Sequence, residues 1–344
     1  MKKASLLGIG LSLLLMVTGC GGGNTAAPAA QPATNEQPQA KPAQPAPAEE
    51  AKKKPRIAYV AGITTDAFYI SMKFGAEEVA NQLGVDLIWT GAPEWDYTKQ
   101  TPIVDSLIAE KVDAIIIAPN DSKAMIAPLK KAMDAGIPVF TVDTNVEDPA
   151  AYVANVTSDN EQGGKLGADT LAGLIGKKGK VMVIGPKPGI STTDARQNGF
   201  LEQIKASYPD IQVVATEYCD DQATIAAKKV QDVLLAHPDL AGVFATNVVS
   251  GAGAGQGLRV KNATGVKVVS YDAGPEQVKG LKAGEMQAII SQKPLEEARV
   301  ILHMAFDYLN GKKDVQKATV LDNVSVTPEN VDSPDVKQWL YRTE

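Results

Sequence analysis

The strongest constraint on the fold is a regular alternation of short apolar segments and longer amphipathic ones, which begins at residue 56. Four apolar segments rich in β-branched and aromatic residues are typical of strands: RIAYVA, VDLIWT, AIIIAP and PVFTVD, with AYVANV as a weaker fifth. The segments between the first four predict helices over residues 68–83, 99–110 and 122–135. Near-continuous apolar strands joined by helices predict a parallel sheet that is covered on both faces.

The same alternation starts again in the second half of the chain. Helical segments at residues 161–175, 200–208, 223–236, 251–260 and 278–281 separate the strand-like segments KVMVIG, IQVVAT, GVFATN, VKVVSYD and QAIISQ. A last amphipathic helix, PLEEARVILHMAFDYLNG, and a closing strand, ATVLDNVSV, precede a polar tail. The pattern predicts an α/β fold of two doubly wound parallel-sheet lobes, with several chain crossings between them.

The N-terminus is predicted to lie outside this fold. Residues 1–20, MKKASLLGIGLSLLLMVTGC, have the basic start, apolar run and small residues of a secretory signal, and the run is short for a membrane span of about 20 residues. The end of this segment resembles a bacterial lipobox, in which Cys20 is acylated; the alternative is an ordinary signal peptide that ends near a cysteine. Residues 21–55 hold seven of the 21 prolines and few apolar residues, which predicts a disordered tether. The protein is therefore predicted to be an extracytoplasmic lipoprotein anchored to the cell membrane.

Composition and motifs exclude several classes of function. A net charge of −6 argues against a nucleic-acid partner, because phosphate binding requires basic clusters. The two histidines, His237 and His303, are predicted to be structural, and the sequence has no zinc-ligand spacing, Gly-x-Ser-x-Gly turn or phosphate-binding loop. Cys219 could act as a nucleophile, although a small residue near a strand end fits its position better. No metal and no cofactor are predicted.

Two apolar strands end on an acid, one in each predicted lobe: VFTVDT contains Asp143 and VVSYDA contains Asp272. In open α/β sheets, small ligands bind at the carboxyl ends of the strands. Carboxylates, amides and arginine bond to hydroxyl groups, and aromatic rings stack on the C–H faces of a sugar. The residues predicted to contact a monosaccharide are Asp66, Phe68, Tyr69, Asp143, Arg196, Asn247, Asp272 and Gln292, with Trp95, Thr144, Asp220 and Tyr271 as secondary candidates.

Trp95 and the strand-end residues Asn120 and Asp121 have competing interpretations. Trp95 lies on a loop and either contacts the ligand or only covers the edge of its lobe. Asn120 and Asp121 also follow a strand, but a helix cap explains them better than a ligand contact.

These motifs together resemble the sugar-binding periplasmic binding proteins of ribose and galactose type, which serve ABC transporters. The resemblance covers residues 56–325 and rests on the segments TTDAFY, GIPVFTVDT, TSDNEQGGKLGAD, ARQNGF, GVFATN, VVSYDAGPE and AIISQKP. It implies the type I fold of that family, with a hinge near residues 158–160 and 292–294. Thr144 stands where ribose-type relatives carry an arginine, and the segment WTGAPEWDYTKQ resembles relatives that bind other sugars or furanosyl signals, so the sugar is left open.

The resemblance implies a monomer that captures a sugar and delivers it to the permease subunits of an ABC transporter, without enzymatic activity. One alternative is a sensor that presents its ligand to a chemoreceptor or kinase. Another is a secreted hydrolase that uses Asp143 and Asp272 as acid and base. Regulators with the same lobes carry a DNA-binding domain where this chain has its signal and tether, which excludes DNA binding. The predicted lobes comprise residues 56–159 with 293–321, and residues 160–292 with 322–344.

Overall fold

The computed structural model describes residues 53–343. The predicted signal peptide, the predicted lipidation site Cys20 and most of the predicted tether lie outside the described residues. None of the helices between residues 53 and 343 is long and apolar enough to cross a membrane.

The described part of the chain alternates strands and helices almost throughout. The strands are β1 (Arg56–Ala61), β2 (Asp86–Gly91), β3 (Ala114–Ile117), β4 (Val139–Val142), β5 (Ala154–Ser158), β6 (Gly179–Gly185), β7 (Ile211–Tyr218), β8 (Leu240–Ala245), β9 (Lys267–Tyr271), β10 (Ala288–Ser291), β11 (Ala318–Leu321) and β12 (Val324–Val326). The α-helices are α1 (Ala67–Leu83), α2 (Tyr97–Ala109), α3 (Ile126–Asp134), α4 (Asn160–Leu174), α5 (Ser191–Ser207), α6 (Ala223–Ala236), α7 (Val248–Val260), α8 (Pro275–Lys282), α9 (Pro294–Leu309) and α10 (Pro334–Lys337).

The strands form two six-stranded sheets, one in each lobe. The first has the order β11-β5-β4-β3-β1-β2 with every pair parallel. The second has the order β12-β10-β9-β8-β6-β7, and only the pairing of β12 with β10 is antiparallel. Both sheets reverse their strand order beside their first strand, which is the point where doubly wound sheets bind ligands. The predicted fold of two doubly wound lobes is confirmed.

Side-chain alternation along the strands gives each sheet a core on both faces. In β1, Ile57 and Tyr59 pack with residues of α1 and α9, whereas Ala58 and Val60 pack with residues of α2 and α3 on the opposite face. The second sheet is covered in the same way, by α4 and α5 on one face and by α6 and α7 on the other. Burial on both faces explains why these strands are apolar at nearly every position.

The chain passes between the two sheets three times within the described residues: from β5 to α4, from β10 to α9, and from β11 to β12. The prediction of one closing strand was therefore wrong. ATVLDNVSV divides at Asp322 and Asn323, because its first half extends the first sheet and its second half pairs with β10 in the second. At the division, the Asn323 side-chain amide donates a hydrogen bond of 2.8 Å to the carbonyl oxygen of Asp159.

Other predicted elements also differ from the structure near turns, among them the helix predicted at residues 200–208, which begins at Ser191. The segment AYVANV is not a strand at its start, because residues 149–151 form a short 3-10 helix whose first turn is capped by Asp148. The helix predicted from residue 122 begins at Ile126, since the Asp121 carboxylate accepts bonds from the backbone N–H groups of Lys123 and Ala124 and shapes a turn there.

Two glycines allow α4 and α5 to pack backbone against backbone in the second lobe. A Cβ atom on Gly164 would overlap the carbonyl oxygen of Arg196, and one on Gly199 would overlap the carbonyl oxygen of Glu161. This close contact sets the position of α5, and with it the position of Arg196.

We therefore expect Gly164→Ala to lower the free energy of unfolding by about 2–3 kcal/mol, because the added methyl group must push the two helices apart. Gly173→Ala is the matched control: it lies on the exposed face of α4, where no heavy atom of the described chain lies within 4 Å of the added carbon. It should raise the free energy of unfolding by about 0.5–1 kcal/mol through helix propensity. Urea denaturation measures both; equal effects would contradict the packing argument.

Candidate functional site

The carboxyl ends of the two sheets face a common cavity between the lobes. The side chains around it leave a cavity of about 30 Å³. All eight principal candidates, together with Trp95, line this one cavity. The complete lining is Asp66, Phe68, Tyr69, Trp95, Asp143, Pro186, Ile190, Thr192, Thr193, Arg196, Asn247, Asp272 and Gln292.

The two strand-end acids are built into the chain in the same way. Asp143 follows the last residue of β4 and Asp272 follows the last residue of β9, and both have left-handed backbone conformations, with φ of 59° and 71°. Each backbone N–H donates a 2.8 Å bond to the neighbouring strand, to Val156 and Ile290 respectively. Aspartate tolerates this conformation better than most residues, and the turn it makes ends the strand at the cavity.

Asp143 is held by an aromatic hydroxyl from the same lobe. The Tyr69 hydroxyl donates a hydrogen bond of 2.5 Å to Asp143 Oδ2. Burial raises the pKa of Asp143 to about 6, although the charge of Arg196 and the bond from Tyr69 oppose the shift. Asp143 is therefore a buried acid whose charge depends on the groups that face it across the cavity.

Asp272 accepts hydrogen bonds on both carboxylate oxygens. Its Oδ1 accepts from the side-chain amide of Gln292 at 2.7 Å and from the Tyr341 hydroxyl at 2.8 Å. Its Oδ2 accepts from the backbone N–H of Val248 at 3.2 Å, in the first turn of α7. A helix N-terminus and two side-chain donors stabilise a buried carboxylate.

Arg196 lies between the two acids and has one unused donor. Its Nε donates to Asn160 Oδ1 at 2.8 Å, and its Nη1 donates to the carbonyl oxygen of Thr246 at 2.9 Å. The guanidinium also stacks on the ring of Tyr271, 4.0 Å from the ring centroid, and lies 3.6 Å from Asp272. Burial is the largest single effect and lowers the pKa of Arg196, but Asp272, Tyr271, Asp143 and Tyr341 together outweigh it, so the pKa of Arg196 is raised. Its buried Nη2 has no partner among residues 53–343.

Asp66 and Asn247 cap helices and line the cavity at the same time. Asp66 Oδ1 accepts from the backbone N–H of Phe68 at 2.7 Å, and Asn247 Oδ1 accepts from that of Ser250 at 3.0 Å. The side-chain amide of Asn247 donates to Asp221 at 3.0 Å. Burial raises the pKa of Asp66 to about 7, with a further contribution from the other acids around the cavity. At these strand ends, one side chain can therefore both cap a helix and line the cavity.

Three aromatic rings form one wall of the cavity. Phe68 and Tyr69 meet edge to face at 5.1 Å between ring centroids, and Tyr69 lies 6.0 Å from Trp95. A Cβ atom on Gly62 would overlap both Tyr69 and Trp95, so only glycine leaves room for these rings. Trp95 thus belongs to the cavity lining.

The other secondary candidates do not line the cavity. Thr144 is buried and donates to the carbonyl oxygen of Pro119 at 2.9 Å, because the left-handed turn at Asp143 directs it into its own lobe. Tyr271 is the last residue of β9, so its ring packs on a face of the sheet, beneath Arg196, rather than at the sheet's end. Asp220 is exposed, and the next residue, Asp221, reaches Asn247 instead.

Some important residues were missed. Thr192 and Thr193 could have been found, because they follow β6 as the other candidates follow their strands. Glu297 could not have been found in this way, because it does not follow a strand. It is fully buried in the first turn of α9. Its Oε1 accepts a hydrogen bond of 2.6 Å from the hydroxyl of Ser158, where the chain first crosses between the lobes. Burial raises its pKa to about 8, and the charge of Asp143 adds to the shift.

Cys219, which could have acted as a nucleophile, is buried and does not line the cavity. Burial raises the pKa of Cys219 to about 11, which disfavours the reactive thiolate. Within residues 53–343, no three His, Cys, Asp or Glu side chains are grouped closely enough to hold a metal ion.

Comparisons with known proteins agree with this geometry. The family described as "Periplasmic binding protein domain" matches residues 57–313. The chain is 32% identical over 268 residues to the ribose import binding protein of Bacillus subtilis, which covers 77% of this chain and 85% of that protein. A solved ABC transporter solute-binding protein from Agrobacterium vitis, bound to α-D-tagatopyranose, is 39% identical with a TM-score of 0.81, covering 84% of this chain and 100% of that one. A second, from Agrobacterium radiobacter with D-arabinose, is 29% identical with a TM-score of 0.81 over the same shares.

Glu297 makes the stability of the ligand-free protein depend on pH. Its folded-state pKa is raised, so its contribution is complete below the pKa of the unfolded chain and is lost as pH rises toward about 8. We expect Glu297→Gln to reduce the fall in unfolding free energy between pH 5 and pH 8 by about 2 kcal/mol, as measured by urea denaturation. Glu296→Gln, a half-exposed neighbour in the same turn, is the control. If the free energy of unfolding of the wild type and of Glu297→Gln depended on pH identically, Glu297 would not be the buried acid with a raised pKa.

Proposed function

This chain belongs to the periplasmic binding protein family, and on that premise we propose that it is an extracytoplasmic solute-binding protein that captures a monosaccharide between its lobes and delivers it to an ABC permease. The observation that carries the proposal is the cavity itself. It places acids from both lobes, a buried arginine whose Nη2 has no partner among residues 53–343, and an aromatic wall around one space.

A monosaccharide matches this lining chemically, because it is polar around its rim and apolar on its C–H faces. Asp143 on one side and Asp272 with Arg196 on the other accept from and donate to ring hydroxyls. The rings of Phe68 and Trp95 supply the apolar surface. The proposed ligand-binding residues are Asp66, Phe68, Tyr69, Trp95, Asp143, Arg196, Asn247, Asp272 and Gln292, with Thr192 and Thr193 added by the structure.

Closure of the lobes is the second element of the proposal. The backbone N–H of Ser122 in the first lobe donates to the carbonyl oxygen of Gly189 in the second at 3.0 Å. Likewise, the backbone N–H of Asn145 donates to the Ser191 hydroxyl at 2.8 Å. These bonds join the two lobes beside the cavity. Hinge motion at the three chain crossings would break them and admit the ligand, and re-forming them would present a closed surface to the permease.

The relatives support a sugar ligand and leave its identity open. One relative is a ribose import binding protein, and two others were solved with α-D-tagatopyranose and D-arabinose bound. These sugars differ in carbon number and in hydroxyl configuration. Thr144 bonds within its own lobe, so in this protein the position after Asp143 supplies no donor to the cavity. We propose binding without turnover, because both central acids are already held by side-chain donors from the protein.

The proposal predicts stoichiometric binding of one sugar from a panel of pentoses and hexoses, measured by isothermal titration calorimetry, with no product formed. Asp143→Ala and Asp272→Ala should each weaken that binding by about 3 kcal/mol, which is roughly a hundredfold, because sugar hydroxyls lose a charged partner. The exposed Asp220→Ala is the matched control and should bind as the wild type does. Wild-type affinity in both cavity variants would remove the acids from the site, and turnover of the sugar would overturn the proposed function.

The proposed membrane anchor is tested separately. We expect Cys20→Ser to move the protein from the membrane fraction to the soluble extracytoplasmic fraction, because the thiol that would carry the lipid is gone. Cell fractionation followed by immunoblotting measures the distribution. Sugar binding by the released protein should be unchanged, and a variant that stays with the membrane would disprove acylation at this cysteine.

A further inference from the structure

The last described residues lie between the two lobes rather than on the outer surface of one. The backbone N–H of Tyr341 donates to the carbonyl oxygen of Ala273 at 3.0 Å, and the Ser291 hydroxyl donates to that of Trp339 at 2.8 Å, both in the second lobe. The backbone N–H of Arg342 donates to the hydroxyl of Ser71, on α1 of the first lobe, at 2.7 Å. We call residues 339–342 the C-terminal strap.

Tyr341 contacts cavity-lining residues of both lobes. Its hydroxyl donates to Asp272 Oδ1 at 2.8 Å and accepts from the backbone N–H of Gln292 at 3.3 Å. Its ring meets the ring of Phe68 edge to face, with centroids 5.6 Å apart. Tyr341 is itself only 6% exposed and is not among the side chains that line the cavity within residues 53–343.

The two side-chain donors to Asp272 differ in whether their residue lines the cavity. Gln292 also donates to Oδ1, but Gln292 lines the cavity, and its amide is therefore available to a bound ligand. The Tyr341 hydroxyl is set behind the carboxylate and is not shared with the cavity. A buried, ionised acid that loses such a donor is both less stable and less well oriented.

We propose that the C-terminal strap is a further link between the lobes, additional to the three chain crossings, and that Tyr341 is a positioning residue that orients Asp272 and Phe68 for the ligand. The inference rests on the proposed function, because it concerns the same cavity. Contacts that join the lobes in the closed arrangement oppose reopening. The strap therefore acts mainly on the release of the ligand and much less on its capture.

The first test is Tyr341→Phe in the full-length protein, which removes the hydroxyl and keeps the ring against Phe68. The dissociation rate of the sugar identified by calorimetry should rise about tenfold, while the association rate stays within about twofold of wild type. Stopped-flow fluorescence measures both rates, since Trp95 lines the cavity. Tyr208→Phe is the matched control, because the Tyr208 hydroxyl donates to Asp169 at 2.8 Å on the exposed surface of the second lobe. Its rates should not change.

A wild-type dissociation rate in Tyr341→Phe would overturn the role of Tyr341. If the free energy of unfolding of Tyr341→Phe fell while its rates stayed unchanged, the hydroxyl would be a structural group only.

A second test examines the C-terminal strap in the absence of ligand. Hydrogen exchange of the ligand-free full-length protein should show protected amides in residues 339–342, because Tyr341 and Arg342 donate to the two lobes. Ser71→Ala should remove the protection of Arg342, since its acceptor is lost, and should leave that of Tyr341. Exchange at unprotected rates in wild type would end the strap proposal. If the wild type bound no sugar, the proposed function would fail. The exchange experiment would still show whether the C-terminal strap links the two lobes.

Discussion

Burial of charge between the lobes is the constraint on which the rest of the structure depends. The side chains of Asp143, Asp272 and Arg196 are almost completely buried. Burying an isolated ion in a protein costs several kcal/mol of folding free energy. The protein offsets that cost with directed donors: Tyr69 for Asp143, Gln292 and Tyr341 for Asp272, and carbonyl and amide acceptors for Arg196. Two atoms of cavity-lining residues, Arg196 Nη2 and Gln292 Oε1, have no partner among residues 53–343, and a polar ligand can supply both partners.

Much of this arrangement could be predicted from the sequence, because it follows local rules. Apolar strands alternate with helices, and the residue after each strand must lie at the carboxyl edge of a parallel sheet. That rule is enough to bring Asp143 and Asp272 to one cavity from strands more than a hundred residues apart. It failed for Tyr271 because the residue still belongs to its strand and faces the sheet's side, where it supports Arg196.

The features that could not be predicted depend on contacts between segments that are far apart in the sequence. Nothing in the polar tail indicates that Tyr341 packs against Phe68 and Asp272, since the contact spans most of the folded chain. The same holds for Glu297, whose helix has an ordinary amphipathic pattern, and whose burial follows only from the meeting of α9 with Ser158.

The three chain crossings have a consequence for biosynthesis. The first sheet receives its edge strand β11, and α1 receives its covering helix α9, only from residues that follow the entire second α/β unit. An emerging N-terminal half therefore exposes the apolar surface of α1 and lacks the elements that would bury it. Domains usually fold one after another, beginning at the N-terminus, but the first lobe of this chain cannot fold completely before the second. Its first lobe can be completed only after the whole second α/β unit has been synthesised.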